Sequence, residues 1–469
     1  MTRLASPLTA ERPRRKPRPL TLWPLLVATF FMVSGGTYGT EDIVSGAGYG
    51  RAILVLLLTP LLWSIPTALM IGELGAALPK EGGYYAWVRR ALGDLWGFQE
   101  AWLSLAASVF DMAIYPTLFV LYLTRLAPWF GSGERGLVVG VAVIVLCVAL
   151  NLAGVRAVAD TSMWLFVALS APFAAIVALA PFHHGALAQT SVLPGAEIGI
   201  SGGVLVAMWN YMGWDNASTI ATEVHRPDRN YPRAMLGAVG IVALSYVLPV
   251  LAAWYTRMPA AGFDTGSWAD LAGMLGGRWL RAFTAMAGML SAFGMFNALV
   301  LSYSRLPLAM AQDGMLPRVF ARVHPRTGAP LVSIVVLAVA WGACLRLGFE
   351  RLVALDIMLY GISLALEFAA LVALRVTAPD LPRAFAVPGG VKGTVALAVP
   401  PMALLGFSLM RSGREHLLGE RALLFGLGIV GSGFLLYVFA VIARSRFRRV
   451  TVGRESPAAI SGEVVGEPE

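Results

Sequence analysis

Apolar runs of the length that crosses a bilayer recur twelve times along this 469-residue chain. A hydrocarbon core about 30 Å thick needs about 20 such residues in a helix. The runs fall at about 22–47, 52–78, 95–126, 136–153, 158–180, 202–224, 231–255, 280–311, 330–347, 352–376, 391–410 and 422–442. In lipid every backbone N–H and C=O needs a partner within the protein, so continuous apolar runs fold as helices. The chain is 57% hydrophobic and 13% charged, against about 25% charged in a soluble domain. An all-α membrane protein with about twelve transmembrane helices is the fold class this implies.

The net charge of +9 does not point to nucleic acid, because Lys and Arg beside membrane spans set orientation. With the N-terminus inside, the basic tails and residues such as Arg89, Arg156, Arg229, Arg318 and Arg375 fall inside, outnumbering the basic residues outside by more than two to one. Both termini are expected to be cytoplasmic. Residues 1–20 read as a disordered basic tail and 446–469 as a C-terminal tail, around a transporter domain at 21–445. The first run is not followed by a small-residue cleavage site, which argues against a signal peptide. Cys147 and Cys344 sit in apolar runs, and the His183-His184 pair lacks further converging ligands. No metal, cofactor or enzymatic nucleophile motif is expected.

The first run is interrupted by Ser34-Gly35-Gly36-Thr37-Tyr38-Gly39-Thr40-Glu41-Asp42. Glycines weaken a helix, and paired acids are costly in hydrocarbon. Backbone leaves the helix at membrane depth only where protein buries it or it lines a cavity. The sixth run repeats the pattern in Trp209-Asn210-Tyr211-Met212-Gly213-Trp214-Asp215. Glycine-mediated helix packing would account for one such stretch. Two breaks, at spans one and six, instead match a five-plus-five inverted repeat, at about 21–180 and 200–376, with two extra helices at 391–442. Each break offers free N–H groups to a substrate carboxylate and free carbonyls to a cation.

Further acids lie within the spans. Asp111 is mid-span with no basic neighbour in sequence, and Glu367 follows it in interest. Glu73 and Glu223 lie nearer cytoplasmic ends, where a structural salt bridge is expected, and Asp356 near the outer end of span ten. The stretch 80–88 reads as a short interfacial helix with its aromatics at headgroup depth. The loop 305–329 carries a turn at Asp313-Gly314, followed by a basic amphipathic stretch.

These residues resemble the amino acid–polyamine–organocation transporters, and within them the plant-type polyamine and amino acid permeases. The resemblance runs over residues 20–445. It is carried by Gly35 to Asp42, Trp63-Ser64-Ile65-Pro66 with Glu73-Leu74, Gly82-Gly83-Tyr84 and Trp96-Gly97-Phe98-Gln99. Asp111 with Tyr115-Pro116, Trp209-Asn210 with Trp214-Asp215, Gly314-Met315-Leu316-Pro317, and 360–375 with Pro379 and Pro388 continue it in order. It implies secondary transport, often proton-coupled, with the first break handling a substrate carboxylate and the sixth helix supplying an aromatic gate. Carried onto this chain, Gly35, Gly36, Thr37, Tyr38 and Gly39 make backbone contacts, and Trp209, Asn210 and Tyr211 form the second break. Many relatives carry Glu where Asp215 stands here. Span five lacks the lysine that some relatives use in place of sodium.

The resulting expectation is a secondary active transporter of the cytoplasmic membrane, working by alternating access on amino acids or polyamine-like organic cations, with the proton as coupling ion. Gly35 to Gly39 and Asn210 to Gly213 hold the substrate, with Trp209 and Tyr38 against its carbon chain. Asp111, with Glu41 and Glu367, meets ammonium groups. Asp111, Asp215 or Glu367 serves coupling or gating. Glu41 and Asp42 are placed at the outer vestibule. An obligate amino acid/amine exchanger is the nearest rival, and a non-transporting nutrient sensor a rival of another class. Helix N-termini favour an amino acid, unpaired acids a polyamine, and the sequence leaves both open.

Overall fold

The computed structural model describes residues 21–78, 83–131, 134–153, 162–184, 200–216, 227–324, 327–414 and 420–452. Among them every regular element is helical. The elements are α1 (Leu22–Val33), α2 (Glu41–Thr59), α3 (Ile65–Ala77), α4 (Gly83–Leu92), α5 (Asp94–Leu126), α6 (Arg135–Leu152) and α7 (Ser162–Leu179). Then come α8 (Ile200–Asn210), α9 (Pro227–Tyr255), α10 (Ser267–Gln312), α11 (Leu331–Cys344), α12 (Phe349–Thr377), α13 (Gly390–Arg414) and α14 (Glu420–Val452). Eight helical segments are long and apolar enough to cross a membrane, and two shorter apolar ones lie at Val167–His183 and Leu331–Leu347. Broken span one, and span six as far as residue 216, are described in addition. Glu223 and both outer tails, 1–20 and 453–469, lie outside the described residues.

Three departures from the expected spans have physical causes. The first half of α2 belongs to the broken first span, and Gly48 at φ 73° turns the chain sharply into the second. A π-helical turn, Pro60–Ser64, then joins α2 to α3. In α10 the backbone leaves helical geometry at Gly277, so a short helix precedes the span expected at 280–311.

The long helix α5 is the central post. It packs against α10, α12, α4 and α14. Gln99 and Trp102 fasten α14 to it, donating to the carbonyls of Val430 at 2.8 Å and Ile429 at 2.9 Å. Large apolar side chains such as Leu54, Leu57, Leu58, Leu61, Val138 and Val145 point outward, which suits a surface solvated by lipid. Two aromatics of α4 pack into the protein. Tyr85 and Trp87 are buried, Trp87 donating to the Leu78 carbonyl at 3.0 Å and Tyr85 to Asp313 at 2.8 Å. Arg89 pairs with the same Asp313 at 2.5 Å and with Asp94 at 2.7 Å. Glu73 forms the expected salt bridge, to Arg375 at 2.6 Å and Arg383 at 3.2 Å.

Candidate functional site

The helix formed by α1 stops at Ser34, whose backbone is extended at φ −135° and ψ 124°. Gly36 at φ 102° and Gly39 at φ 88° then carry the chain across to α2 through conformations that a side chain would strain. The fold leaves no room for larger residues here. A Cβ on Gly35 would meet Ser291 Oγ at 2.5 Å, and one on Gly39 would meet the Trp209 ring at 3.1 Å. Freed carbonyls find partners across the bundle. Ser291 donates to the Gly35 carbonyl and Trp268 Nε1 to that of Thr37 at 3.2 Å. Thr37 donates to the Ser245 carbonyl at 2.7 Å, and Tyr38 to that of Leu169 at 3.3 Å.

The second break follows α8. Gly213 at φ 88° turns the chain into a short 3₁₀ segment holding Trp214 and Asp215. The two breaks touch. Asn210 Nδ2 reaches the Gly39 carbonyl at 3.4 Å, and the Tyr246 hydroxyl lies 2.7 Å from Ser34 Oγ and 2.8 Å from the Asn210 carbonyl. Tyr211 turns away from this junction and donates to the Leu56 carbonyl at 2.9 Å. Pro60, four residues beyond Leu56, has no N–H to offer that carbonyl, and Tyr211 fills the vacancy.

A cavity of about 580 Å³, open mouth included, lies between the breaks, α5 and α10. Seven residues expected at the site line it: Gly35, Gly36, Tyr38, Asp111, Trp209, Asn210 and Gly213. Asp111 is the one charged side chain among the described residues lining it. Its carboxylate receives Tyr303 at 2.9 Å, Trp209 Nε1 at 3.1 Å and Tyr115 at 3.2 Å. All three donors are neutral, so the negative charge remains for something else to balance. Trp209 is held edge-on against Phe349 with centroids 5.6 Å apart.

Other expected residues lie elsewhere. Thr37, Gly39 and Tyr211 shape the breaks without lining the cavity. Glu41 and Asp42 are buried, not at an open vestibule. Glu41 accepts from the N–H of Gly39 at 2.8 Å, the N–H of Gly266 at 2.9 Å and the Tyr122 hydroxyl. Asp42 accepts both the N–H and the hydroxyl of Thr265, at 2.8 and 2.9 Å. The two acids thus compensate the N-terminus of their own half-helix and tie it to the loop before α10. Asp215 accepts from Tyr360 at 3.1 Å, outside the cavity lining. Glu367 is buried and is not part of the cavity lining. Asp356, expected near an outer end, is fully buried and interacts electrostatically with Asp111 and Asp215. Tyr115, noted in sequence beside Asp111, lines the cavity, as do Tyr246, Ser291 and Tyr303, which were not singled out by sequence. In an apolar run an aromatic or serine has the same signature as ordinary packing, and Tyr303 sits too far from the breaks to be drawn in.

A bundle of membrane-spanning helices with two facing breaks beside one central cavity defines a multi-pass membrane transporter, not an enzyme. The chain belongs to the amino acid permease family, whose model matches residues 26–454. The polyamine transporter PUT1 of Oryza sativa subsp. japonica is 35% identical over 453 residues, covering 94% of this chain and 82% of that protein. The polyamine transporter RMV1 of Arabidopsis thaliana is 37% identical over 407 residues, 82% of this chain and 79% of its own. The serine/threonine exchanger SteT of Bacillus subtilis (strain 168) is 27% identical over 361 residues, 74% and 80% of the two chains. The resemblance read from the residues is borne out.

Proposed function

We propose that the protein carries a polyamine-like organic cation across the cytoplasmic membrane, coupled to protons, by alternating access between the two breaks. One observation carries the choice of substrate. The cavity presents an Asp111 carboxylate amid tyrosines and Trp209, with no Lys or Arg among the described lining residues. An amino acid would need a cationic or N–H partner for its carboxylate. At the half-helix N-terminus Glu41 already holds the Gly39 N–H, and both acids of the first turn oppose a second anion there. A diamine needs no such partner. One ammonium meets Asp111, and the methylene chain lies along Tyr38 and Trp209. Asp111 and Asp215 then serve coupling or gating. The similarity to polyamine transporters supports this reading. Domain boundaries follow the two repeats, about 21–180 and 200–376, and both termini are placed in the cytoplasm by the basic loops.

Purified protein in proteoliposomes tests the proposal, with labelled putrescine, spermidine, serine and threonine offered with and without an inward proton gradient. Gradient-driven putrescine or spermidine uptake is expected, with little serine uptake. Serine or threonine transport that requires the same amino acid inside would replace it with the exchanger reading, which the similarity to the serine/threonine exchanger favours.

A further inference from the structure

Two polar stripes face each other along the seam between α5 and α12. On α5, Glu100, Ser104, Ser108 and Asp111 recur at helical spacing, and on α12 so do Asp356, Tyr360, Ser363 and Glu367. Each stripe spans twelve residues, about 16 Å of helix axis. The helices run antiparallel, for Glu100 meets Ser363 at one end while Asp111 and Asp356 interact at the other. Between them stands Asp215, which also interacts with Glu100 and Glu367. Tyr84 of α4 faces Asp215, Glu100 and Glu367 from the end of the seam. Among the described residues no Lys, Arg or His is ion-paired with any of these five acids.

The chemistry of the far end points to a ligand. Glu100 Oε1, Ser104 Oγ and Ser363 Oγ form a triangle in which every side is 2.8 Å. Three contacts between oxygens need three hydrogens, and the two serines supply two. A proton on Glu100 supplies the third. The other oxygen of Glu100, one oxygen of Glu367 and both oxygens of Asp356 are buried without a hydrogen-bond partner, in residues 0–1% exposed. Unpaired ionised carboxylates are costly together at such burial. A proton on such an acid removes its charge and gives it an O–H to donate.

We propose that the α5–α12 seam is the proton path of the transporter, running from Asp111 at the cavity through Asp356, Asp215 and Glu367 to Glu100 beside α4. It rests on the proton-coupled reading above. Tyr360 serves Asp215, and Ser104 and Ser363 serve Glu100, as hydroxyl relays. At Asp356 and Glu367, which have unpartnered oxygens, a side-chain rotation must first close the gap, after which one carboxyl O–H bond breaks as the next forms. No electrons move, and each acid returns to its starting state. With the N-terminus inside, Glu100 is the cytoplasmic end.

The test uses the full chain in proteoliposomes loaded with a pH-sensitive dye, with putrescine as substrate. Tracer exchange at equal putrescine inside and out needs no net proton movement. Gradient-driven accumulation does. Glu100→Gln and Glu367→Gln are expected to keep exchange within about twofold while losing about tenfold or more of the accumulation and the dye response. Ser363→Ala, which removes one corner of the triangle and no charge, should lower accumulation in the same sense and decides the matter where a Gln variant fails to fold. If the unmodified protein exchanges putrescine but shows neither gradient-driven accumulation nor a dye response to net putrescine uptake, the coupled reading fails and the path with it. If it moves protons, and both Gln variants and Ser363→Ala do so equally, the path alone is overturned.

Discussion

Replacing Asp111 by Asn removes the cavity's charge and changes little of its shape. The three donors to Asp111 are neutral, at 2.9, 3.1 and 3.2 Å. An Asn turned with its oxygen toward Trp209 and Tyr115 keeps two of those bonds and presents its NH₂ to Tyr303. The fold should therefore survive. The substrate ammonium loses a charge-assisted hydrogen bond, worth about 1.5–3 kcal/mol. At 1.4 kcal/mol per factor of ten, half-saturation by putrescine should rise about 10–150-fold. The measurement is the concentration dependence of initial putrescine uptake in proteoliposomes, beside thermal unfolding in detergent to check the fold. Half-saturation within about twofold of the unmodified protein, in a protein that still melts normally, would refute the assignment of Asp111 as the ammonium partner.

Other substitutions probe the scaffold. Gly39→Ala forces a Cβ into a left-handed backbone and against Trp209, costing about 1–2 kcal/mol, and should cut the initial uptake rate more than it lowers the melting temperature. Glu41→Ala strands two N–H groups and the Tyr122 hydroxyl, at about 1–3 kcal/mol each, so a clear drop in the melting temperature is expected, and Glu41→Gln should recover part of it. Arg375→Ala leaves the buried Glu73 with Arg383 alone. It should destabilise by about 3 kcal/mol, seen as a lower unfolding midpoint in detergent, while Arg375→Lys loses less.

The spans and both breaks were legible because their signals are local: hydropathy over about 20 residues, and glycines set among aromatics and acids. Asp111 was legible for the same reason, an acid alone in an apolar run. What escaped depends on partners distant in sequence. Glu41 looked like an exposed cation attractor until Gly266 and Thr265 were seen to close over it and Asp42. Glu100 lies two turns into α5 and had no local signature. Its meaning comes from Ser363, 263 positions away. The spacing 100–104–108–111, read beside 356–360–363–367, was the one sequence signal that could have found the seam. Gly48 and Gly277 fall at or just outside the ends of the spans read at 22–47, 52–78 and 280–311, so sequence bracketed both turns.

The bond from Tyr211 to the Leu56 carbonyl has a consequence for how this sequence can drift over evolutionary time. Pro60 leaves that carbonyl short of a donor, and the tyrosine hydroxyl, 155 positions away, makes up the shortfall. Neither residue is free to change alone. Losing the hydroxyl first strands a buried carbonyl, and losing the proline first puts an N–H and a hydroxyl in competition for it. Where homologous chains carry another residue at position 60, phenylalanine should become admissible at position 211. The two sites are expected to vary as a linked pair, an inheritance pattern written by one missing hydrogen.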